Sequence, residues 1–206
     1  PAKSLKANKD IIIDGNDPEV LSVSSNLANG IYGIGDLIPV TIAFNEVVYV
    51  TGSPQLTLET GSSDAIVNYS SGSGTSILTF NYTVSAGHSS SDLDYVNTSS
   101  LSLNSGTIRD EAENNAVLTL PSPGQNGSLG ANKQFLIDGN APTILNVSSD
   151  DNDATYILGE SIDILLTFSE VVNVTGTPYL TLETGVTDRN VNYTSGTGTT
   201  VLTFTY

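Results

Sequence analysis

Apolar and polar residues alternate along most of this chain. Ile38, Val40, Ile42 and Phe44 are separated by Pro39, Thr41 and Ala43; Leu56 and Leu58 flank Thr57; Leu78, Phe80 and Tyr82 alternate with Thr79 and Asn81. A period of two places successive side chains on opposite faces of an extended strand, one against a core and one in water. Shorter stretches at 19–24, 65–70, 94–97, 101–103, 116–120 and 133–138 are expected to add strands, with Gly and Ser clusters as turns between them. No stretch sustains a 3.6-residue period. About seven to nine short strands in roughly 120 residues predict an all-β chain folded as an antiparallel sandwich. Its core is expected to hold Ile42, Phe44, Leu56, Leu58, Val67, Leu78 and Phe80, because a one-residue slip would turn the whole set outward.

The pattern occurs twice. Residues 18–82 align with 142–206 at a constant offset of 124 without a gap, and about half of the positions are identical. Phe44-Asn45-Glu46-Val47-Val48 returns as Phe168-Ser169-Glu170-Val171-Val172. Tyr69-Ser70-Ser71-Gly72-Ser73-Gly74-Thr75 returns as Tyr193-Thr194-Ser195-Gly196-Thr197-Gly198-Thr199. Upstream, Ala7-Asn8-Lys9 and Ile13-Asp14-Gly15-Asn16 match Ala131-Asn132-Lys133 and Ile137-Asp138-Gly139-Asn140. A period this long is a domain in itself; solenoid coils repeat every 20–50 residues or so and share one core. The sequence therefore reads as the C-terminal strand of a preceding repeat (1–16), a complete repeat (17–140) and the N-terminal half of the next (141–206).

Several of these blocks carry a family resemblance. The Phe-x-Glu-Val-Val-x-Val-Thr-Gly block, the Ser-Gly-x-Gly-Thr-x-x-Leu-Thr-Phe run, Asp92-Leu93-Asp94-Tyr95, and Gly106-Thr107-Ile108-Arg109-Asp110 continuing to Asn114 and Leu118-Thr119-Leu120-Pro121 resemble bacterial immunoglobulin-like or cadherin-like repeats. Such repeats occur in very large secreted or surface adhesins. The resemblance implies tandem immunoglobulin-like sandwiches, a cell-surface or extracellular location, and a stalk module often stiffened by calcium. One departure stands out. Where the family often has Asp-x-Ala-Gly-Asn, this chain has Asp110-Glu111-Ala112-Glu113-Asn114, which replaces a residue suited to left-handed backbone with a carboxylate.

Charge narrows the partners. Six Lys and Arg against 22 Asp and Glu leave a formal charge of −16, which repels nucleic-acid backbones and anionic membrane surfaces. Such a surplus opposes compaction unless cations offset it. No apolar run reaches the roughly 18 residues of a spanning helix, so no direct membrane insertion of this segment is expected. Without Met, the chain is expected to be an internal or processed segment, with any export signal or anchor outside it. Catalysis is not expected. The lone histidine, His88, reads as a solvated loop residue, and with no Cys there is no nucleophile–base pair or transition-metal set to build. Seven Asn-x-Ser/Thr sequons are close to what this Asn-, Ser- and Thr-rich composition produces by chance.

Calcium needs only oxygen donors, about six to eight of them. Three acidic features are candidates: the junctions with Asp14 and Asp17 and, one repeat on, Asp138; Glu46 and Glu170 after the long strand; and the loop with Asp110, Glu113 and Asn114. The competing reading is ordinary solvated turns, where Asp and Asn are favoured anyway. The functional expectation is a non-enzymatic spacer whose partners are neighbouring repeats of the same chain. A subunit of an extracellular filament built from other copies, or a module binding a surface glycan or protein, are the alternatives.

Overall fold

The alternation from Ile38 to Phe44 becomes the first half of a 15-residue strand, β3 (Leu37–Thr51), around which the first part of the chain is organised. The computed structural model describes Lys9 and residues 13–206. Most of the strand expected within residues 1–16 lies outside the described residues. The chain divides into two units, the first ending at Asn140 and the second spanning Ala141–Tyr206.

In the first unit β3 pairs antiparallel with β1 (Val20–Ser25) on one side and β6 (Thr75–Thr83) on the other. The sheet continues from β6 through β5 (Ala65–Ser71) and β4 (Gln55–Leu58) to β8 (Leu101–Ser102). The β3–β6 register is regular from Leu37↔Thr83 to Ala43↔Ile77 and then shifts, resuming at Val48↔Thr75. Beyond that irregularity β3 pairs with β9 (Thr107–Arg109) instead, Val50 facing Ile108. A second, three-stranded sheet has β10 (Phe135–Asp138) at its centre, parallel to β2 (Gly30–Gly33) and antiparallel to β7 (Ser89–Ser90). Nearly all the structure is therefore β, and all but one pair of strands is antiparallel.

Both sheets feed one hydrophobic cluster. All seven residues expected inside are buried, Ile42, Leu56, Leu58, Leu78 and Phe80 completely. Phe135 and Ile137 of β10 join them, as do Leu93, Tyr95, Leu120 and Leu129 from the connecting segments. The β5–β6 turn depends on glycine. Gly72 has φ +112°, and a Cβ there would stand 2.0 Å from the Ile77 carbonyl oxygen; Gly196 repeats this in the second unit, 2.1 Å from that of Val201.

Two of the expected strands are absent. Residues 94–97 and 116–120 form only isolated bridges, Leu58 with Tyr95 and Glu19 with Val117. Tyr95 is held by its side chain, whose hydroxyl donates to the Pro121 carbonyl, and not by a ladder. The alternation there records anchoring, not pairing. One turn of helix, Leu129–Asn132, also interrupts the β pattern; the Ser128 hydroxyl caps it by accepting from the Ala131 amide.

The second unit repeats the topology in part. Strands β11 (Ile144–Ser149), β12 (Asp163–Val172), β15 (Thr199–Thr205), β14 (Arg189–Ser195) and β13 (Tyr179–Leu182) form one five-stranded sheet in that order. Its buried cluster comprises Leu166, Val191, Leu202 and Phe204. Leu180 and Leu182 are only partly buried, whereas their equivalents Leu56 and Leu58 are fully so.

Candidate cation site

Glu46 lies in the inward phase of β3. Ile38, Val40, Ile42, Phe44 and Val48 share its parity and are buried, so a half-buried carboxylate occupies a core-facing parity within the stretch where the β3–β6 register shifts. Asp110 stands likewise to β9: two residues after buried Ile108, it is itself buried at 5% exposure. Asp14 arrives from the segment that precedes β1 and is exposed. One oxygen from each of these three carboxylates lies within 4.8 Å of the other two.

That spacing suits a single hard cation. Oxygens bound at 2.3–2.6 Å to one calcium ion are at most about 5 Å apart. The loop after β9 holds Asp110 in place. The Asn114 backbone N–H donates to Asp110 Oδ1 at 2.8 Å and its Nδ2 to Oδ2 at 2.7 Å. Each carboxylate oxygen retains a further acceptor position, so these bonds fix the group without saturating it. Asn114 Nδ2 also reaches the Asp14 carbonyl at 3.4 Å, which ties the incoming segment to the loop. Glu113 adopts φ +67°, a left-handed position that glycine takes without strain and a carboxylate residue holds at a local cost on the order of 1 kcal/mol.

The electrostatics are repulsive. Partial burial raises the Glu46 carboxyl above its ordinary value, and the charges of Asp14, Asp110 and Asp17 raise it further. Of the expected ligands, the fold thus brings Asp14, Glu46 and Asp110 together, with Asp17 near enough for its charge to act. Asn114 clamps the triad. Glu113 is not among the three converging carboxylates; with Asp110 itself, Tyr49, Thr51, Arg109 and Glu111 it lines a groove of about 460 Å³. Asp138 ends β10 of the first unit, and Glu170 lies on β12 of the second. Asp138 Oδ1 accepts from the Asn140 amide at 3.1 Å, as Asp14 Oδ1 does from that of Asn16.

His88 is not the solvated loop residue that its Gly/Ser surroundings predict. Its Nδ1 is 2.9 Å from the Tyr82 hydroxyl, the two rings stack at 5.7 Å, and the Ser85 amide donates to the same nitrogen at 3.3 Å. Burial pushes the Tyr82 phenol up to about 12. No described helix is long and apolar enough to cross a membrane. No protein-family model matches the chain, and no curated protein is significantly similar to it.

Proposed function

We propose that this chain is a non-enzymatic spacer from an extracellular or cell-surface protein. On this reading its repeats are immunoglobulin-like β-sandwiches, and Ca2+ stiffens the joints between them. The observation that carries the reading is the convergence of Asp14, Glu46 and Asp110 from three separate segments of the chain. Asp14 belongs to the segment by which the chain reaches the unit; Glu46 and Asp110 belong to its body. An ion among them ties the connecting segment down, whereas three carboxylates alone push it away.

The layout of the first unit supports the reading. β10, through which the chain leaves, ends beside Gly33, and Asp36 near the start of β3 donates to the Gly33 carbonyl. The acidic triad gathers around Glu46, nine residues further along β3. At the rise of an extended strand these ends are roughly 30 Å apart. A unit that takes in the chain at one pole and releases it at the other extends an array. The packing of two sheets on one cluster supports the sandwich.

Calcium titration tests the proposal. Calorimetry is expected to give a dissociation constant on the order of 10⁻⁴–10⁻³ M, adequate outside cells. Melting temperature is expected to rise with the ion, and Asp110→Asn to remove both effects. Small-angle scattering of a multi-repeat chain should give a longer particle in calcium than in chelator. Equal melting and equal length in the two buffers would sink the calcium reading.

A further inference from the structure

Two asparagines of the first unit stand directly before glycine, in Asn29-Gly30 and Asn126-Gly127. An asparagine so placed closes readily on the next residue. The glycine amide nitrogen attacks the side-chain carbonyl carbon, and no Cβ on the glycine stands in the way. Both asparagines are exposed, so water reaches both. Their hydrogen bonds differ.

Asn29-Gly30 is held at two points by one residue. Asn29 Oδ1 accepts from the Gln134 amide at 3.1 Å, and the Gly30 amide donates to the Gln134 carbonyl at 3.1 Å. The attacking nitrogen is engaged and the carboxamide is oriented where β2 begins to pair with β10. Attack there must first break a bond that this pairing maintains. Asn126 and Gly127 are instead the central residues of a turn, closed by the Ser128 amide donating to the Gln125 carbonyl at 2.9 Å. Gly127 has φ +92°. Among the described residues, neither the Asn126 carboxamide nor the Gly127 amide has a hydrogen-bond partner.

We propose that Asn126 is a site of spontaneous modification by water, and that the fold protects Asn29 from the same reaction. The Gly127 nitrogen loses its proton to solvent base and bonds to Asn126 Cγ. The Cγ–Nδ2 bond breaks, and the departing group takes up a proton and leaves as ammonia. Water then opens the resulting succinimide at either carbonyl. One opening gives aspartate; the other gives isoaspartate, whose main chain runs through Cβ and Cγ and is one carbon longer. Water is the only co-reactant.

The position gives the reaction a consequence. Among the described residues β1 ends the seven-stranded sheet, and Val23 turns its backbone groups to that open edge. The Val23 amide donates to the Gly127 carbonyl at 2.7 Å, and its carbonyl accepts from Asn132 Nδ2 at 2.8 Å. Residues 127–132 therefore cover the edge, and such a cover keeps a strand from pairing with another chain. The turn has little slack: a Cβ on Gly127 would stand 3.1 Å from the Leu21 carbonyl oxygen and 3.2 Å from Pro121 Cγ. An extra main-chain carbon just before Gly127 moves its carbonyl off the Val23 amide. Conversion thus opens the β1 edge irreversibly and adds a negative charge beside it.

The full chain is incubated at neutral to mildly alkaline pH, and peptide mapping by mass spectrometry follows both asparagines over days. Asn126 is expected to convert roughly tenfold faster than Asn29, the factor that two retained hydrogen bonds impose on attack. In denaturing urea the two rates are expected to converge, because the protection of Asn29 belongs to the fold. Equal rates in the folded chain would overturn the proposal. So would a gap that persists in urea, since flanking residues would then set it. Hydrogen exchange at the Val23 amide reads the edge. It is expected to quicken as the unmodified chain converts and to stay slow in Asn126→Gln, whose longer side chain closes a ring far less readily. Exchange at Val23 that is equally slow after conversion would refute the loss of the cover.

Discussion

Glu46 has the parity of a core residue and the chemistry of a surface one. A carboxylate in an inward register is partly desolvated, and here three further carboxylates face it. Its folded pKa is therefore raised above its ordinary 4.5. The folded state holds this proton more tightly than the unfolded chain does. Stability from this group is gained as pH falls from the raised value toward 4.5 and lost as pH rises through that window, opposite to a salt-bridged acid. In chelator, Glu46→Gln should flatten that part of the stability–pH curve and stabilise the protein at neutral pH. In saturating calcium the same substitution should destabilise it, because a ligand is lost. Urea midpoints across pH, with and without calcium, check both signs; an unchanged pH slope would show that Glu46 feels no such field. Asp110 is buried and held by both nitrogens of Asn114.

Among the elements, β3 and β6 carry the fold. Their pairing is the longest continuous register among the described residues, and each contributes fully buried residues to the cluster. Phe80 is 0% exposed and meets the Tyr69 ring edge-on at 6.1 Å; Phe204 and Tyr193 repeat the pair in the second unit at the same distance. Phe80→Ala should cost about 3–5 kcal/mol in denaturant unfolding of the first unit. A loss below about 1 kcal/mol would mean the core does not depend on this ring. The Gly72 and Gly196 turns set the register of both hairpins, since only glycine tolerates the carbonyl that each one faces.

The two units of the molecule differ in how much they bury. The first closes its cluster with residues from both sheets and their connections; the second rests on four buried side chains and leaves Ile144, Val147, Leu158 and Val186 exposed. Stability follows the fraction of apolar surface removed from water. Thermal unfolding of dilute protein in chelator should show two transitions, with the second unit melting first. Calorimetry checks this; a single cooperative transition would mean that the units stabilise one another.

What the sequence alone determined was set by local rules. A period of two, read on Ile38 to Phe44 and on Leu78 to Tyr82, gave the strands, their inward faces and the core, because side-chain direction in a strand alternates whatever the partner. The acids of the candidate site were legible as residue types near the ends of elements. Their convergence was not: Asp14, Glu46 and Asp110 are far apart in sequence, and only the β3–β9 pairing and the Asn114 bonds bring their oxygens within 4.8 Å. The short strands β2 and β7 were also illegible, since Gly30–Gly33 and Ser89–Ser90 have no apolar alternation and exist through pairing with β10. His88 sits in a stretch that reads as open loop, yet its place is fixed by Tyr82 six residues away. Parity along a strand is a property of the chain, but which strand lies beside it is decided by the free energy of the whole packed unit.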